Sequence, residues 1–216
     1  MKTKSAWACL LLMILGLFMV WPAWQPACAQ MHAVQPSGRF AGRWVAERES
    51  VVTYLSSVLF PASAQCEWFH GNLLYTFKPG PTVRGTVTNT LEIVTNGAIV
   101  HLLRGRSGRG GPTRITFGMN LAYAAPYTIK ARDQILEFGA PSPDASSCSI
   151  ENLTVNDVEV MRDSGSVDML GLPLNFTASK MNYRFLGDNR LELIPIFPPA
   201  SDGVNIVPSP IILRRQ

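Results

Sequence analysis

The sequence is poor in the side chains that most catalytic and metal sites use. It has only three histidines in 216 residues, and His32, His70 and His101 form none of the short spacings that zinc sites prefer. A Gly-x-Ser-x-Gly nucleophile elbow is missing, and the acidic residues are scattered along the chain. We therefore predict no metal, cofactor or catalytic residue, and favour a non-enzymatic function over a catalytic site assembled only by folding.

Long apolar runs are confined to the amino terminus. Residues 6–20 carry no charge, follow a basic start, and precede the small-x-small tripeptide Ala27-Cys28-Ala29. These features are typical of a secretory signal peptide cleaved before Gln30. A retained anchor is the alternative, but the run is short for a membrane span, and lipoprotein processing at Cys28 is disfavoured because no aliphatic residue stands three positions earlier. We predict a leader at residues 1–29, one mature domain at residues 30–216 without a transmembrane segment, and a periplasmic or secreted location.

Charge and cysteine are both scarce in the predicted mature chain. The leader takes two lysines and no acid from a chain of net charge +4, which leaves +2 and disfavours nucleic acid as a partner. Only Cys66 and Cys148 remain, and in an oxidising compartment such a pair predicts one disulfide. A redox-active or metal-binding pair is the alternative, but neither cysteine lies in a Cys-x-x-Cys motif.

Short β-favouring runs separated by Gly, Pro, Asn and Asp fill the chain from Arg39 onward. This pattern predicts antiparallel β-structure. Asn96-Gly97 tolerates the positive φ of a tight primed turn, so we predict a hairpin between strands at residues 86–95 and 98–105. A second hairpin is predicted around residues 187–189, and further strands at 114–122, 127–138, 148–161 and 205–214.

One stretch has helical periodicity. Residues 47–59 place Val51, Val52, Leu55, Val58 and Leu59 at helical spacing before Pro61, which predicts a short helix. A strand followed by a helical turn is the alternative, because β-branched residues cluster at its start. Residues 104–112 and 195–210 are predicted loops, and proline restricts the strands around the second loop to sheet edges.

Consecutive antiparallel strands commonly hide their edges by closing into a barrel. Gly42-Arg43-Trp44 resembles the Gly-x-Trp motif that begins the lipocalin and wider calycin barrels. In that family a basic side chain near the final strand packs over this tryptophan, so the resemblance implies that Arg214 or Arg215 covers Trp44. The predicted fold class is therefore all-β: an antiparallel up-and-down β-barrel, lipocalin-like, with at most one short helix near residues 47–59. A core tryptophan and a solubilising arginine tail are the alternative interpretation.

Arginine and glycine are concentrated between residues 104 and 114. Arg104, Arg106, Arg109 and Arg114 lie in this segment, and guanidinium groups bind phosphate or carboxylate bidentately. The segment is interpreted first as an exposed soluble loop without a partner. The alternative is a contact for a lipid headgroup, an acidic polysaccharide or an acidic protein.

Two functions fit these features. Aromatic residues on inward-facing strand positions would either fill a barrel or line an apolar cavity. A cavity predicts an exported lipocalin-like protein that binds a hydrophobic or amphipathic small molecule or lipid. A filled barrel or sandwich predicts an interaction module, such as an inhibitor or an envelope assembly factor. Asn152 and Asn175 begin glycosylation sequons, which matter only in a eukaryotic host.

Overall fold

The computed structural model describes residues 37–59, 64–80, 82–83, 86–105, 111–166, 179–197 and 206–216. Within them lie the helices α1 (Ser37–Phe40) and α2 (Arg48–Leu59), and a 3-10 turn at Pro143–Ala145. The strands are β1 (Gly42–Ala46), β2 (Ala64–Lys78), β3 (Thr82–Val83), β4 (Thr86–Val87), β5 (Asn89–Arg104), β6 (Thr113–Lys130), β7 (Ile135–Phe138), β8 (Ser147–Val155), β9 (Val158–Met161), β10 (Gly165–Ser166), β11 (Lys180–Phe185), β12 (Arg190–Ile196) and β13 (Ile211–Arg215).

Eight strands close into an antiparallel barrel. They are, in chain order and in spatial order, β1, β2, β5, β6, β7, β11, β12 and β13. The first and last strands pair and complete the circle, with Trp44 opposite Arg215. The predicted fold class, an all-β up-and-down barrel, is confirmed.

Three neighbouring strands are longer than the barrel requires. β2, β5 and β6 have 15, 16 and 18 residues, and β6 changes partner along its length. Its first half pairs with β8 and its last residues pair with β7. We call residues 64–70, 98–104 and 113–121, together with β8, β9 and β10, the sheet extension. It continues the barrel wall formed by β2, β5 and β6 beyond the other strands. Its inner face is buried, and its outer face is turned to solvent.

The hairpin predicted at Asn96-Gly97 does not form. Both flanking segments belong to one continuous strand, β5, which stays paired with β2 and β6 along its length. Gly97 has a φ of 56°, so the positive-φ residue is used, but in a bulge where the register shifts instead of in a turn. β5 stays attached to β6 across this shift, because Thr95 Oγ1 donates to Met119 O and accepts from Leu121 N, both at 2.8 Å.

The helix prediction is confirmed at Arg48–Leu59. Val51, Leu55, Val58 and Leu59 are buried as their spacing requires, and Tyr54 joins them. Side chains on this helix also hold neighbouring strands. Ser50 Oγ accepts a hydrogen bond from Ile212 N at 3.0 Å, and Ser56 Oγ accepts one from Cys66 N at 3.0 Å.

Several other predicted elements are confirmed with altered bounds. The turn at residues 187–189 joins β11 to β12. The predicted strand 127–138 divides into the end of β6 and β7, and 148–161 divides at Asn156-Asp157, where both residues have positive φ. Pro195 lies in β12 beyond the last residue that pairs with β13, as an edge position requires. The leader at residues 1–29, Arg106, Arg109, Asn175 and residues 198–205 of the predicted loop 195–210 lie outside the described residues.

The predicted disulfide is absent. Cys66 in β2 lies opposite Leu102 of β5, whereas Cys148 in β8 lies opposite Leu121 of β6. Three strand spacings, about 14 Å, separate the cysteines across the sheet, and they are further offset along the strands, because Leu102 lies opposite Ile115, six residues from Leu121. A disulfide needs Cα atoms within about 7 Å. The predicted oxidising compartment gives no information on this separation, because the separation depends on the order of the strands in the sheet.

Among the residues that the structure describes, no helix has the length and hydrophobicity needed to span a membrane.

Candidate functional site

The predicted closure residues meet at the lower end of the barrel. Trp44 is fully buried, and its Nε1 donates a hydrogen bond of 2.8 Å to Phe40 O. The guanidinium carbon of Arg215 lies 4.7 Å from the centroid of the Trp44 ring, and Arg215 also donates to Arg39 O. Arg214 points outward instead and pairs with Glu47 at 3.3 Å. This end of the barrel is therefore sealed by packed side chains.

Aromatic rings pack the barrel interior above that seal. Phe40 lies 4.9 Å from the ring centroids of both Tyr183 and Phe185, and Phe77 lies 5.5 Å from Tyr127 in an edge-on arrangement. Burial raises the pKa of Tyr127 to about 12. Its hydroxyl is buried without a hydrogen-bond partner among the described residues, which makes it an unsatisfied polar group inside an apolar interior.

The predicted anion-contact arginines are described only in part. Arg104 and Arg114 are exposed at the far end of the sheet extension. They lie on neighbouring strands, with Leu103 opposite Arg114 and Arg104 opposite Thr113. The backbone of Arg114 is fixed by Asn156, whose Oδ1 accepts from Arg114 N at 2.9 Å.

A pocket of 310 Å³ lies on the outer face of the sheet extension, and we call it the Gly118 pocket. Gly118 in β6 forms its floor and lies opposite Ile99 of β5 and Glu151 of β8. The missing side chain matters, because a Cβ at Gly118 would come within 2.8 Å of Glu151 Cγ. The pocket is lined by Gly97, Ala98, Ile99, Thr116, Phe117, Gly118, Asn120, Glu151 and Asn152.

Three polar side chains of this pocket have unused hydrogen-bonding capacity. Glu151 is half-buried, Asn120 and Asn152 are exposed, and their side chains make no hydrogen bond or ion pair within the described part of the chain. Asn152 also has a φ of 50° in the middle of β8, next to a register shift between β6 and β8. Such left-handed residues outside turns are uncommon and concentrate at functional positions.

An exposed tryptophan stands beside the Gly118 pocket. Trp68 stacks on His101 with ring centroids 3.5 Å apart and keeps 44% of its surface exposed. His101 Nδ1 is in turn 2.9 Å from Thr116 Oγ1, a residue of the pocket. Desolvation lowers the pKa of His101, and the charges of Glu67 and Asp157 oppose this shift. A bulge after Cys66 turns Trp68 outward.

Sequence reasoning missed this site. Its residues come from β2, β5, β6 and β8, and only strand pairing brings them together. Gly118 within a strand was a usable signal, because an isolated glycine there marks a close approach of another group. Asn152 drew attention only as a sequon.

No protein-family model, curated protein or solved structure matches this chain. Function therefore has to be inferred from the geometry of the barrel and its outer face. No group of three or more His, Cys, Asp or Glu residues that could hold a metal ion occurs within the described ranges.

Proposed function

We propose that the protein is an exported, non-enzymatic binding module, with the barrel as scaffold and the outer face of the sheet extension as contact surface. The single observation that carries this proposal is the exposed Trp68 beside the Gly118 pocket. Large aromatic side chains are costly to leave in water, and they are enriched where proteins contact ligands and partners. Export rests on the predicted leader.

The packed barrel interior supports a scaffold role. Trp44, Phe77, Leu91, Leu191 and Leu213 are each at most 1% exposed, and side chains packed this closely leave a rigid support. A rigid sheet positions surface side chains more accurately than a loop does. The contact surface is therefore held in shape before a partner arrives.

Neighbouring side chains extend the contact surface around Trp68. Ile99 is 38% exposed and lies two residues from His101 on the same face of β5. Arg114 lies two residues before Thr116 on the same face of β6, with the alternation that a strand imposes. The surface thus combines apolar area with a cationic border, a composition that suits a component of the cell envelope.

Photo-crosslinking in the producing cell tests this proposal. A photoreactive residue replaces Ile99 in one variant and Leu186, which is also 38% exposed but lies in the β11–β12 turn, in the matched control. We expect one discrete adduct from position 99, none from position 186, and loss of the adduct when Trp68→Ala is added. Equal labelling at both positions, or no adduct at position 99, would refute the proposed surface.

A lipocalin-like function is the second candidate. The eight-stranded barrel and the stacking of Arg215 on Trp44 support the resemblance, and the unpaired Tyr127 hydroxyl is a polar group to which an amphipathic molecule inside the barrel would bind. Native mass spectrometry of the protein purified from its own envelope tests this. A stoichiometric apolar molecule that is lost in Tyr127→Phe would favour this function, and an empty monomer would eliminate it.

A further inference from the structure

Resting on the proposed function, we propose that the Gly118 pocket binds one ring of a carbohydrate, with Trp68 supporting the next ring. The volume of 310 Å³ is at the lower end of the range for small-molecule sites and accommodates a ring of monosaccharide size. The missing side chain at Gly118 makes room for Glu151, whose Cγ and Oε1 lie 2.8 and 3.2 Å from the position of the absent Cβ. The Glu151 side chain is thereby held in the floor of the pocket.

The unpaired polar groups match hydroxyl chemistry. A sugar hydroxyl donates one hydrogen bond and accepts others, as a carboxamide does through its NH2 and C=O groups. Glu151 supplies acceptors, and Asn120 and Asn152 supply both donors and acceptors. A pair of neighbouring sugar hydroxyls therefore finds complementary partners among these three side chains.

An amine ligand fits the same groups less completely. An ammonium group only donates, so it would pair with the Glu151 carboxylate and leave the NH2 groups of both asparagines unused. A phosphate or carboxylate ligand would be repelled by Glu151, and the pocket lining contains no cation. The side-chain set thus favours a neutral polyhydroxyl ring.

The apolar surroundings of the pocket suit the C–H faces of a sugar ring, which are its apolar surfaces. Ile99 forms an apolar wall of the pocket. Trp68 lies opposite His101, two residues along β5 from Ile99 and therefore about 7 Å further along the sheet. Stacking on His101 fixes the indole, and linked sugar rings span this spacing. The site is therefore suited to an oligosaccharide more than to a free monosaccharide.

Two substitutions change the polar groups of the pocket while preserving the fold. Glu151→Gln keeps the shape of the side chain and removes its charge. Asn152→Gly removes the amide at a φ of 50°, which glycine adopts readily. The matched controls are Glu49→Gln on the exposed face of α2 and Gln134→Gly, at a φ of 55° in the β6–β7 turn.

The experiment screens the mature protein on an array of purified neutral, acidic and amino-sugar oligosaccharides, followed by calorimetric titration of the tightest binder. We expect binding of a neutral oligosaccharide that weakens at least tenfold in Glu151→Gln, Asn152→Gly and Trp68→Ala, and less than twofold in both controls. Circular dichroism and urea unfolding confirm that each variant folds.

Three results would overturn the carbohydrate proposal: no oligosaccharide binds, binding is unchanged in the three site variants, or putrescine binds instead and is lost in Glu151→Gln. These failures are distinguishable from failure of the proposed function. If the crosslinked adduct at position 99 persists while no oligosaccharide binds, the contact surface stands and only its ligand class is wrong. If both are negative, the outer face is not the contact surface.

Discussion

Arg214 and Arg215 are adjacent in sequence and point to opposite faces of β13. Arg215 covers the ring of Trp44 and donates to Arg39 O, whereas Arg214 makes a solvent-exposed ion pair with Glu47. Stacking of a cation on an indole is a desolvated, directional contact. Exposed ion pairs are weakened by water and salt. Neighbouring residues of one type thus contribute differently to stability.

We predict that Arg215→Ala lowers the free energy of unfolding by about 1 to 2 kcal/mol, because the cation–π contact and a hydrogen bond are lost together. Arg214→Ala, the matched control, lowers it by less than about 0.5 kcal/mol. Urea unfolding monitored by tryptophan fluorescence measures both. Equal losses in the two variants would show that Arg215 does not stabilise the barrel through Trp44.

A family resemblance pointed to Trp44 and to Arg214 or Arg215 at the two ends of the chain, and Arg215 is the one that lies over the ring. The sequence could not identify Trp68 as an outward-facing residue. Strict alternation would assign a face to each residue of β2, and the bulge between Cys66 and Trp68 reverses that assignment. Bulges depend on the partner strand, so a single strand read alone does not reveal them.

At the scale of elements, Gly71 in β2 and Gly97 in β5 lie at the same register shift between the two strands. Gly71 has a φ of 88°, and a Cβ there would lie 2.2 Å from Gly97 O. Gly97 has positive φ too, but nothing lies within 4 Å of its missing Cβ. The close approach therefore depends on Gly71 alone.

We predict that Gly71→Ala destabilises the protein by about 3 kcal/mol or more, since steric overlap with the β5 backbone adds to the strain of a positive φ. Gly97→Ala carries only the strain, about 1 kcal/mol. Chemical denaturation of both variants provides the comparison. If Gly97→Ala were the more damaging change, the close approach would not determine the bulge.

Local signals sufficed for α2 and for the β11–β12 turn, because the buried face of a helix and the residues of a tight turn are close in sequence. They failed at Asn96-Gly97. Tolerance of positive φ is shared by turns and bulges, and the choice between them is made by β2 and β6, which pair with β5 on both sides of this dipeptide. The bulge could therefore not be predicted from the sequence, because it depends on long-range strand pairing.

At the scale of the whole molecule, strand order decides which side chains meet. It separates Cys66 from Cys148 by two intervening strands, and it brings Ile99, Gly118 and Glu151 into one row across three strands. Composition and spacing predicted the antiparallel strands, and the hiding of strand edges together with the resemblance at Gly42-Arg43-Trp44 predicted the barrel. None of these signals predicted the sheet extension. The change of partner along β6, from β8 to β7, has no local sequence pattern.

We predict that dithiothreitol leaves the urea midpoint of the mature protein unchanged. Burial raises the pKa of the Cys66 thiol to about 12, with a further contribution from the charge of Glu67, so Cys66 should resist iodoacetamide until the protein is unfolded. Peptide mass mapping before and after denaturation locates the label. A loss of about 2 to 4 kcal/mol on reduction would instead indicate a bridging disulfide.

The pairing of β1 with β13 also gives the molecule two functionally unequal ends. Gln216 N donates to Arg43 O at 3.0 Å, so the chain enters β1 and leaves β13 at one pole. The Gly118 pocket lies toward the other end of the barrel. It is eight residues along β5 from the level of the chain ends, and therefore roughly 25 Å from them. A fusion partner or a sensor surface coupled at Gln216 should therefore leave the pocket facing the solution. A flexible linker at Gln216 would keep the pocket accessible to ligands.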